Sequence, residues 1–264
     1  MIRTALMNVM TAAALKAGRG LRRDFGEVEN LQVSLKGPGD FVSAADKKAE
    51  KILFEELSKV RPGYGFEMEE GGSVAGTDKA HTWHVDPLDG TTNFLHGVPY
   101  FAVSIALERD GQIVAGVVYN PVTEDMYIAE RGQGAYHNNH RIRVSVRREI
   151  AHALVGCSIP HLAAAKEHPR FKRELEEVMA SAGNVRNFGA IALDMAAVAA
   201  GRIDALWGRG ADSWDIGAGS ILVREAGGYV ATIEGGDDYL TKRSLCCGNE
   251  YIQRALLMLL KKAA

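Results

Sequence analysis

The stretch VDPLDGTTNF, Val85 to Phe94, sets Asp86 and Asp89 three positions apart around Pro87, directly before Gly90, Thr91 and Thr92. It closes the β-rich run TWHVD, and proline, with its φ fixed and no N–H to donate, turns the chain out of a regular ladder there. Gly90 and Thr91 are then left with the free backbone N–H groups of a helix start. Carboxylates bind hard cations such as Mg2+ through oxygen, and a helix N-terminus beside them holds a phosphate. The stretch therefore reads as a metal cradle next to an anion site. Two metals about 3.5–4 Å apart clamp both the attacking and the leaving oxygen of a phosphoryl group, and they relieve the repulsion that clustered carboxylates otherwise feel.

On the N-terminal side of this stretch, residues 4–22 and 46–60 carry apolar side chains at helical spacing, among them Leu6, Val9, Met10 and Ala13, then Ile52, Leu53, Leu57 and Val60. Between residues 82 and 145 the texture changes to short β-rich runs, YFAVSIALE, QIVAGVVYN and DMYIAE, broken by turn pairs such as Asp110-Gly111 and Asn120-Pro121. That pattern predicts a largely antiparallel meander. From about residue 151 strand and helix alternate, with helices over 168–182, 190–200 and 214–225, strands near 229–233 and 245–248, and a last helix from 250. Two halves, 1–150 and 151–264, are expected; with no linker-like segment between them, they should share an interface.

Three further acidic stations accompany the pair: Asp46 in DFVSAADKKAE, Glu69-Glu70 in EMEEGG, and Asp215 in SWDIGAGS. Taken singly, Asp46 and Asp215 fit helix starts that favour first-turn acids, and Glu69-Glu70 fits a solvated run. The Asp86/Asp89 pair, with its proline and glycine, calls for more than that.

Bulk properties narrow the function classes. With 264 residues, 47% of them apolar and 24% charged, the chain is expected to fold with a sizeable core. Lys and Arg total 31 against 33 Asp and Glu, a net charge of -2, so no basic field favours nucleic acid as the default partner. Cys157, Cys246 and Cys247 form no C-x-x-C and are odd in number, with no paired histidines, so neither a zinc site nor a disulfide framework is indicated and a reducing cytoplasm fits best. The start MNVMTAAALKAG is interrupted by Lys16 and reads as a helix of the mature chain; no apolar run reaches the ~20 residues of a membrane span. The histidines, such as His81, His84 and His96, lack ligand spacing and are expected in surface or structural roles. Trp83, Trp207 and Trp214 are expected to pack the site walls.

DFVSAADKKAE, the EE pair, WHVDPLDGTTNF, FAVSIAL, RGQGA, ALDMAAVAAGR and WDIGAGSILVREAGG occur in one order along nearly the whole chain. In this the sequence resembles the inositol monophosphatase family of Mg2+-dependent, lithium-sensitive phosphatases, particularly its bacterial SuhB-type members. The resemblance implies a layered α/β sandwich, αβαβα, of the inositol monophosphatase / fructose-1,6-bisphosphatase type, with an antiparallel first sheet, a mixed second sheet and the metal site in the cleft between them. It implies two or three Mg2+ ions held by Glu69, Asp86, the Leu88 carbonyl, Asp89 and Asp215, with Asp86 bridging. Asp46 and Thr91, with Glu69, would orient the attacking water, and the N–H groups of Gly90 and Thr91 would hold phosphate oxygens. Arg186, Gly189 and Asp215 would contact the leaving alcohol. A cytoplasmic homodimer is implied as well.

One departure bears on the substrate. Similar proteins commonly carry a glutamate seven residues before the last metal aspartate, where it meets inositol hydroxyls; here that position is Gly208, in LWGRGADSWD. The loss of such a charged hydrogen bond costs about 1.5–3 kcal/mol of recognition. Arg209, next in sequence, could contribute instead. The expected reaction is hydrolysis of a small monoester, inositol 1-phosphate first, with 3'-phosphoadenosine 5'-phosphate, fructose bisphosphate and histidinol phosphate as alternatives. A haloacid-dehalogenase-type reading is disfavoured by the D-x-x-D-G-T spacing. A regulatory binding protein of the transcription machinery is the alternative of another class, although every acidic station is present.

Overall fold

The computed structural model of the chain describes residues 3–25, 27, 33–37, 40–160 and 162–263. Five layers stack in the order helix, sheet, helix, sheet, helix. The first contains α1 (Ala5–Phe25) and α2 (Ala44–Val60), with a hairpin of β1 (Val33–Gly37) and β2 (Asp40–Ser43) between them in sequence. α1 buries Met7, Met10, Ala14, Ala17 and Leu21, one face of a 3.6-residue period, against the first sheet. Each large apolar side chain so buried contributes about 1.5–3 kcal/mol. The approach is close enough that a Cβ at Gly18 would stand 2.6 Å from the Tyr119 ring.

The first sheet has eight strands: β3 (Gly65–Met68), β4 (Gly72–Val74), β5 (His81–Asp89), β6 (Ala102–Arg109), β7 (Gln112–Asn120), β8 (Asp125–Glu130), β9 (Gly134–His137) and β10 (His140–Arg141). Their spatial order is β10-β9-β8-β7-β6-β5-β3-β4. From β5 onward it is the antiparallel meander that the turn pairs predict. The antiparallel first sheet that the resemblance implies has one exception outside the meander, because β3 runs parallel to β5. The connection through β4 at the sheet edge returns the chain to its starting end before β5 begins.

After α3 (Thr91–Leu95), the second half supplies β11 (Leu154–Ser158), α4 (His168–Met179), β12 (Asn184–Arg186), α5 (Ile191–Ala199), β13 (Ala205–Arg209), α6 (Ser213–Glu225), β14 (Tyr229–Ala231), α7 (Tyr239–Lys242), β15 (Ser244–Gly248) and α8 (Glu250–Lys262). Its five-stranded sheet, order β12-β11-β13-β15-β14, is mixed: β12, β11 and β13 are parallel, while β15 is antiparallel to both neighbours. α5 and α6 form the middle layer and pack on both sheets; α4 and α8 cover the far face of the second. The helices expected over 168–182 and 190–200 end sooner, at Met179 and Ala199, where Gly183 and Gly201 follow closely.

Two tryptophans are core residues rather than site walls. Trp83 and Trp207 are each fully buried, Trp83 between the first sheet and α1/α2, Trp207 beneath α4 and α8. His84 is also buried, with Nδ1 2.8 Å from Ser213 Oγ and Nε2 3.1 Å from Glu108. All three cysteines are free and buried. No helix among the described residues is long and apolar enough to cross a membrane.

Candidate active site

In a regular strand, residues three apart face opposite sides of the sheet. β5 breaks that rule at Pro87: Asp86 pairs with Ser104 but Asp89 with Ala102, so three steps on β5 match two on β6. The extra residue is a β-bulge. Because Ser104 and Ala102 lie on one face, their partners do too, and both aspartates turn toward the α5/α6 layer while Leu88 packs on the α1/α2 side. The strand then ends at Gly90, whose φ of 94° and ψ of 37° are left-handed. A Cβ there would stand 3.0 Å from Ala190 Cβ and 3.2 Å from the Tyr100 carbonyl oxygen, so glycine is required on both counts.

Backbone amides fix each carboxylate. Asp86 Oδ1 accepts from Leu88 N–H at 2.8 Å. Asp89 accepts from Ile191 N–H at 3.2 Å and Ala192 N–H at 2.7 Å, the first turn of α5, so this strand-end acid caps a helix from the other half of the chain. Asp215 Oδ2 accepts from Asp212 N–H at 2.6 Å within a capping box at the start of α6. Glu69 follows β3, its N–H bonded to the Val85 carbonyl at 3.3 Å. Thr91 Oγ1 stands 3.1 Å from Asp46 Oδ1 and 3.1 Å from the Leu88 carbonyl oxygen, one proton with two acceptors. Asp46 is fully buried in the first turn of α2.

Burial and like charge act together here. Burial, then Glu69, Asp89 and Asp215, push the Asp86 carboxyl well above its ordinary range. Burial in the first place, with Asp194 and Glu69 also contributing, raises Asp89 to about 8 against the pull of its two amides. Asp215 is raised by burial, then by Asp89 and Glu69. No Lys or Arg pairs with Asp86, Asp89 or Asp215 among the described residues. Nor do three acidic, thiol or imidazole groups there close on one point as a finished metal cage. The acids instead approach from β5, α6 and the end of β3.

Glu69, Asp86, Asp89, Asp215, Thr91, Asp46 and the Leu88 carbonyl are connected through hydrogen bonds, mutual repulsion or the short segment 86–91, and Gly90 lies in that segment between Asp89 and Thr91. Gly189 joins them, since its carbonyl oxygen would lie 3.3 Å from a Cβ at Gly90. Arg186 does not: it ends β12, exposed, and folds back on Asn184 Oδ1 and the Val185 carbonyl. Sequence reading missed two participants. Asp194, within α5, is 1% exposed, accepts from Tyr100 Oη at 2.8 Å, and is raised to about 7 by burial. Its signal was a lone acid in the apolar helix ALDMAAVAA. Glu50, one turn beyond Asp46 on α2, accepts from Glu70 N–H at 2.8 Å and so anchors the turn that carries Glu69.

Fold and site define an α/β sandwich with an acidic centre where a strand of one sheet caps a helix between the two sheets. The family model described as "Inositol monophosphatase family" matches residues 3–263. An "Inositol-1-monophosphatase" of Mesorhizobium japonicum is 60% identical over 99% of this chain and 98% of its own. The "Nus factor SuhB" of Escherichia coli K12 is 36% identical over 96% and 94%. The crystal structure of the extragenic suppressor protein suhB from Bartonella henselae superposes with a TM-score of 0.95 at 54% identity, covering 99% of this chain and 100% of that one. The chain belongs to the inositol monophosphatase family.

Proposed function

We propose that the protein is a cytoplasmic, Mg2+-dependent phosphatase of small phosphate monoesters, with inositol 1-phosphate as the first substrate to consider. The observation that carries this reading is the trio Asp86, Asp89 and Asp215, all with raised carboxyl pKa values, amide-fixed and with no cationic partner among the described residues. Such a donor set of hard oxygens suits Mg2+ and would be relieved by it. Glu69, Asp86, the Leu88 carbonyl, Asp89 and Asp215 would hold two or three ions. When bound, these ions supply positive charge for the phosphoryl oxygens and acidify a coordinated water.

The chain's own groups account for the rest. With the hydroxyl of Thr91 donating to Asp46 Oδ1, its oxygen would accept a proton from the attacking water as its own proton moves to Asp46. The N–H groups of Gly90 and Thr91, at the first turn of α3, donate to phosphate oxygens. Gly90 lets the backbone approach that closely. Attack in line breaks the bond from phosphorus to the ester oxygen and expels the alkoxide, which takes its proton from solvent water, toward the C-terminal ends of β11 and β13, where open parallel sheets place their ligands. Arg186 and Gly189 border that end.

The names of the relatives at 51–60% identity support inositol phosphate as substrate. The E. coli relative's name supports a second reading, a role in transcription complexes that does not require catalysis. Phosphate release by purified protein, with Mg2+ or with chelator, from inositol 1-phosphate, fructose 1,6-bisphosphate, 3'-phosphoadenosine 5'-phosphate and histidinol phosphate distinguishes them. Activity that needs Mg2+, is inhibited by Li+ and disappears in Asp86→Asn supports the enzyme; no hydrolysis of any ester refutes it. Sedimentation of the same sample tests the homodimer.

A further inference from the structure

His84 lies on β5 two residues before Asp86, and Ser213 opens α6 two residues before Asp215. Residues two apart in a strand share a face, and the pairing of His84 with Ala106 and of Asp86 with Ser104 puts both on the side that α6 covers. The helix comes close there: a Cβ at Gly217, one turn after Ser213, would stand 3.0 Å from Ala106 Cβ and 3.9 Å from His84 Cβ. Two polar contacts join the sheet to the first turn of α6. Nδ1 of His84 is 2.8 Å from Ser213 Oγ, and the hydroxyl of Ser104, the cross-strand partner of Asp86, donates to the Trp214 carbonyl at 2.9 Å.

The His84 contact has a direction. A carboxylate only accepts, so Nε2, 3.1 Å from Glu108 Oε2, carries the ring proton. In the neutral ring Nδ1 is then an acceptor, and the Ser213 hydroxyl donates to it. Glu108, on β6, thereby fixes the tautomer that faces α6. The ring is buried, and bonds made away from water are stronger than the same bonds at the surface. There is a force for them to resist. The Asp215 charge opposes ionisation of Asp86, so the two carboxylates push β5 and α6 apart at this end. Apolar contact is non-directional and yields to such a push, whereas a hydrogen bond keeps donor and acceptor within a range of roughly 0.5 Å.

We propose that His84 and Ser213 are positioning residues for the metal site, a strut between β5 and α6 that sets the separation of Asp86 and Asp215 to suit bound Mg2+. The inference rests on the Mg2+ site of the phosphatase reading above. Neither residue is a ligand; both act through the two aspartates. Their loss therefore shows in Mg2+ affinity, which falls about tenfold or more when the groups that orient metal ligands are removed.

The test separates the two ring nitrogens. Asparagine places its amide at the level of Nδ1 and keeps a partner for Ser213; glutamine places it at the level of Nε2 and keeps only Glu108. His84→Asn, His84→Gln and Ser213→Ala are compared with wild type by calorimetric titration of the chelator-treated protein with Mg2+, and by thermal unfolding in chelator. Both His84 variants lose the ring and should melt lower to a similar extent. His84→Gln and Ser213→Ala should weaken Mg2+ binding about tenfold, while His84→Asn stays within about threefold of wild type. A Ser213→Ala protein that binds Mg2+ as tightly as wild type overturns the strut, whatever the His84 variants do. Equal weakening in His84→Asn and His84→Gln leaves His84 a packing role and overturns the pairing. Because the readout is binding, the result does not depend on which ester is hydrolysed. A wild type that takes up no Mg2+ removes the metal site, and the phosphatase reading falls together with this inference.

Discussion

Replacing Asp89 by asparagine should change how stability depends on pH in the metal-free protein. In the fold the carboxyl is raised from its ordinary 3.8 to about 8, chiefly by burial. A raised carboxyl binds its proton more tightly in the folded than in the unfolded chain. It therefore contributes stability that is complete below about pH 4 and is lost as the pH rises through about 8. At 1.36 kcal/mol per pH unit, the loss between pH 5 and pH 8 is about 4 kcal/mol. For a chain of 264 residues, unfolding entropy scales to about 0.55 kcal/mol/K, so the melting temperature should fall by about 7 °C over that interval. Asparagine cannot ionise, and its single acceptor oxygen keeps part of the cap on α5, so Asp89→Asn should be offset by about 1 kcal/mol but have a flatter profile. The assay is thermal unfolding by circular dichroism in chelator at pH 5, 6, 7 and 8, repeated at pH 8 with Mg2+, which should stabilise wild type more than the variant. If the variant's profile runs parallel to that of wild type, Asp89 is not a strained buried acid and the electrostatic argument fails.

Thr91→Val keeps the shape but removes the hydroxyl that meets Asp46; kcat on inositol 1-phosphate at saturating Mg2+ should fall by roughly 10²–10³, and a loss under threefold would remove the proton relay. Gly90→Ala must force a β-carbon into left-handed backbone against Ala190 and the Tyr100 carbonyl, which should cost about 1–3 kcal/mol in urea unfolding together with most activity. The hydrogen bond from His84 holds the Glu108 carboxyl below its ordinary range, so it stabilises the fold above pH ~4.5 and loses that effect as the pH falls further; Glu108→Gln should flatten the acid limb of a stability profile, and an unchanged limb would count against the bond.

The legible part of this protein is its local chemistry. Leu6, Val9, Met10 and Ala13 repeat at helical spacing, and the turn pairs Asp110-Gly111 and Asn120-Pro121 punctuate a meander, so α1 and β6 to β8 follow from short-range pattern alone. Pro87 and Gly90 mark the end of β5 because one lacks an N–H and the other lacks a Cβ, and both properties belong to the residue itself. Asp86, Asp89 and Asp215 were visible as acids at strand and helix ends for the same reason.

What sequence could not supply was phase and partnership. Residues three apart share a face of β5 because a bulge opposite β6 adds one residue, a fact of pairing between strands. Asp89 caps α5 from 102 positions away, and Asp194 became a buried neighbour when that helix packed between the sheets. An aromatic side chain does not announce which layer will cover it, and Trp83 and Trp207, expected at the site walls, lie in two separate cores. Arg209 and Gly208 are adjacent in sequence, yet the alternation of β13 sends one to Glu174 and the other to Ser158. The sequence by itself determined which groups could do the chemistry, since that depends on side-chain type and nearest neighbours; the tertiary structure decided which of them meet, since that depends on register and packing between segments far apart along the chain.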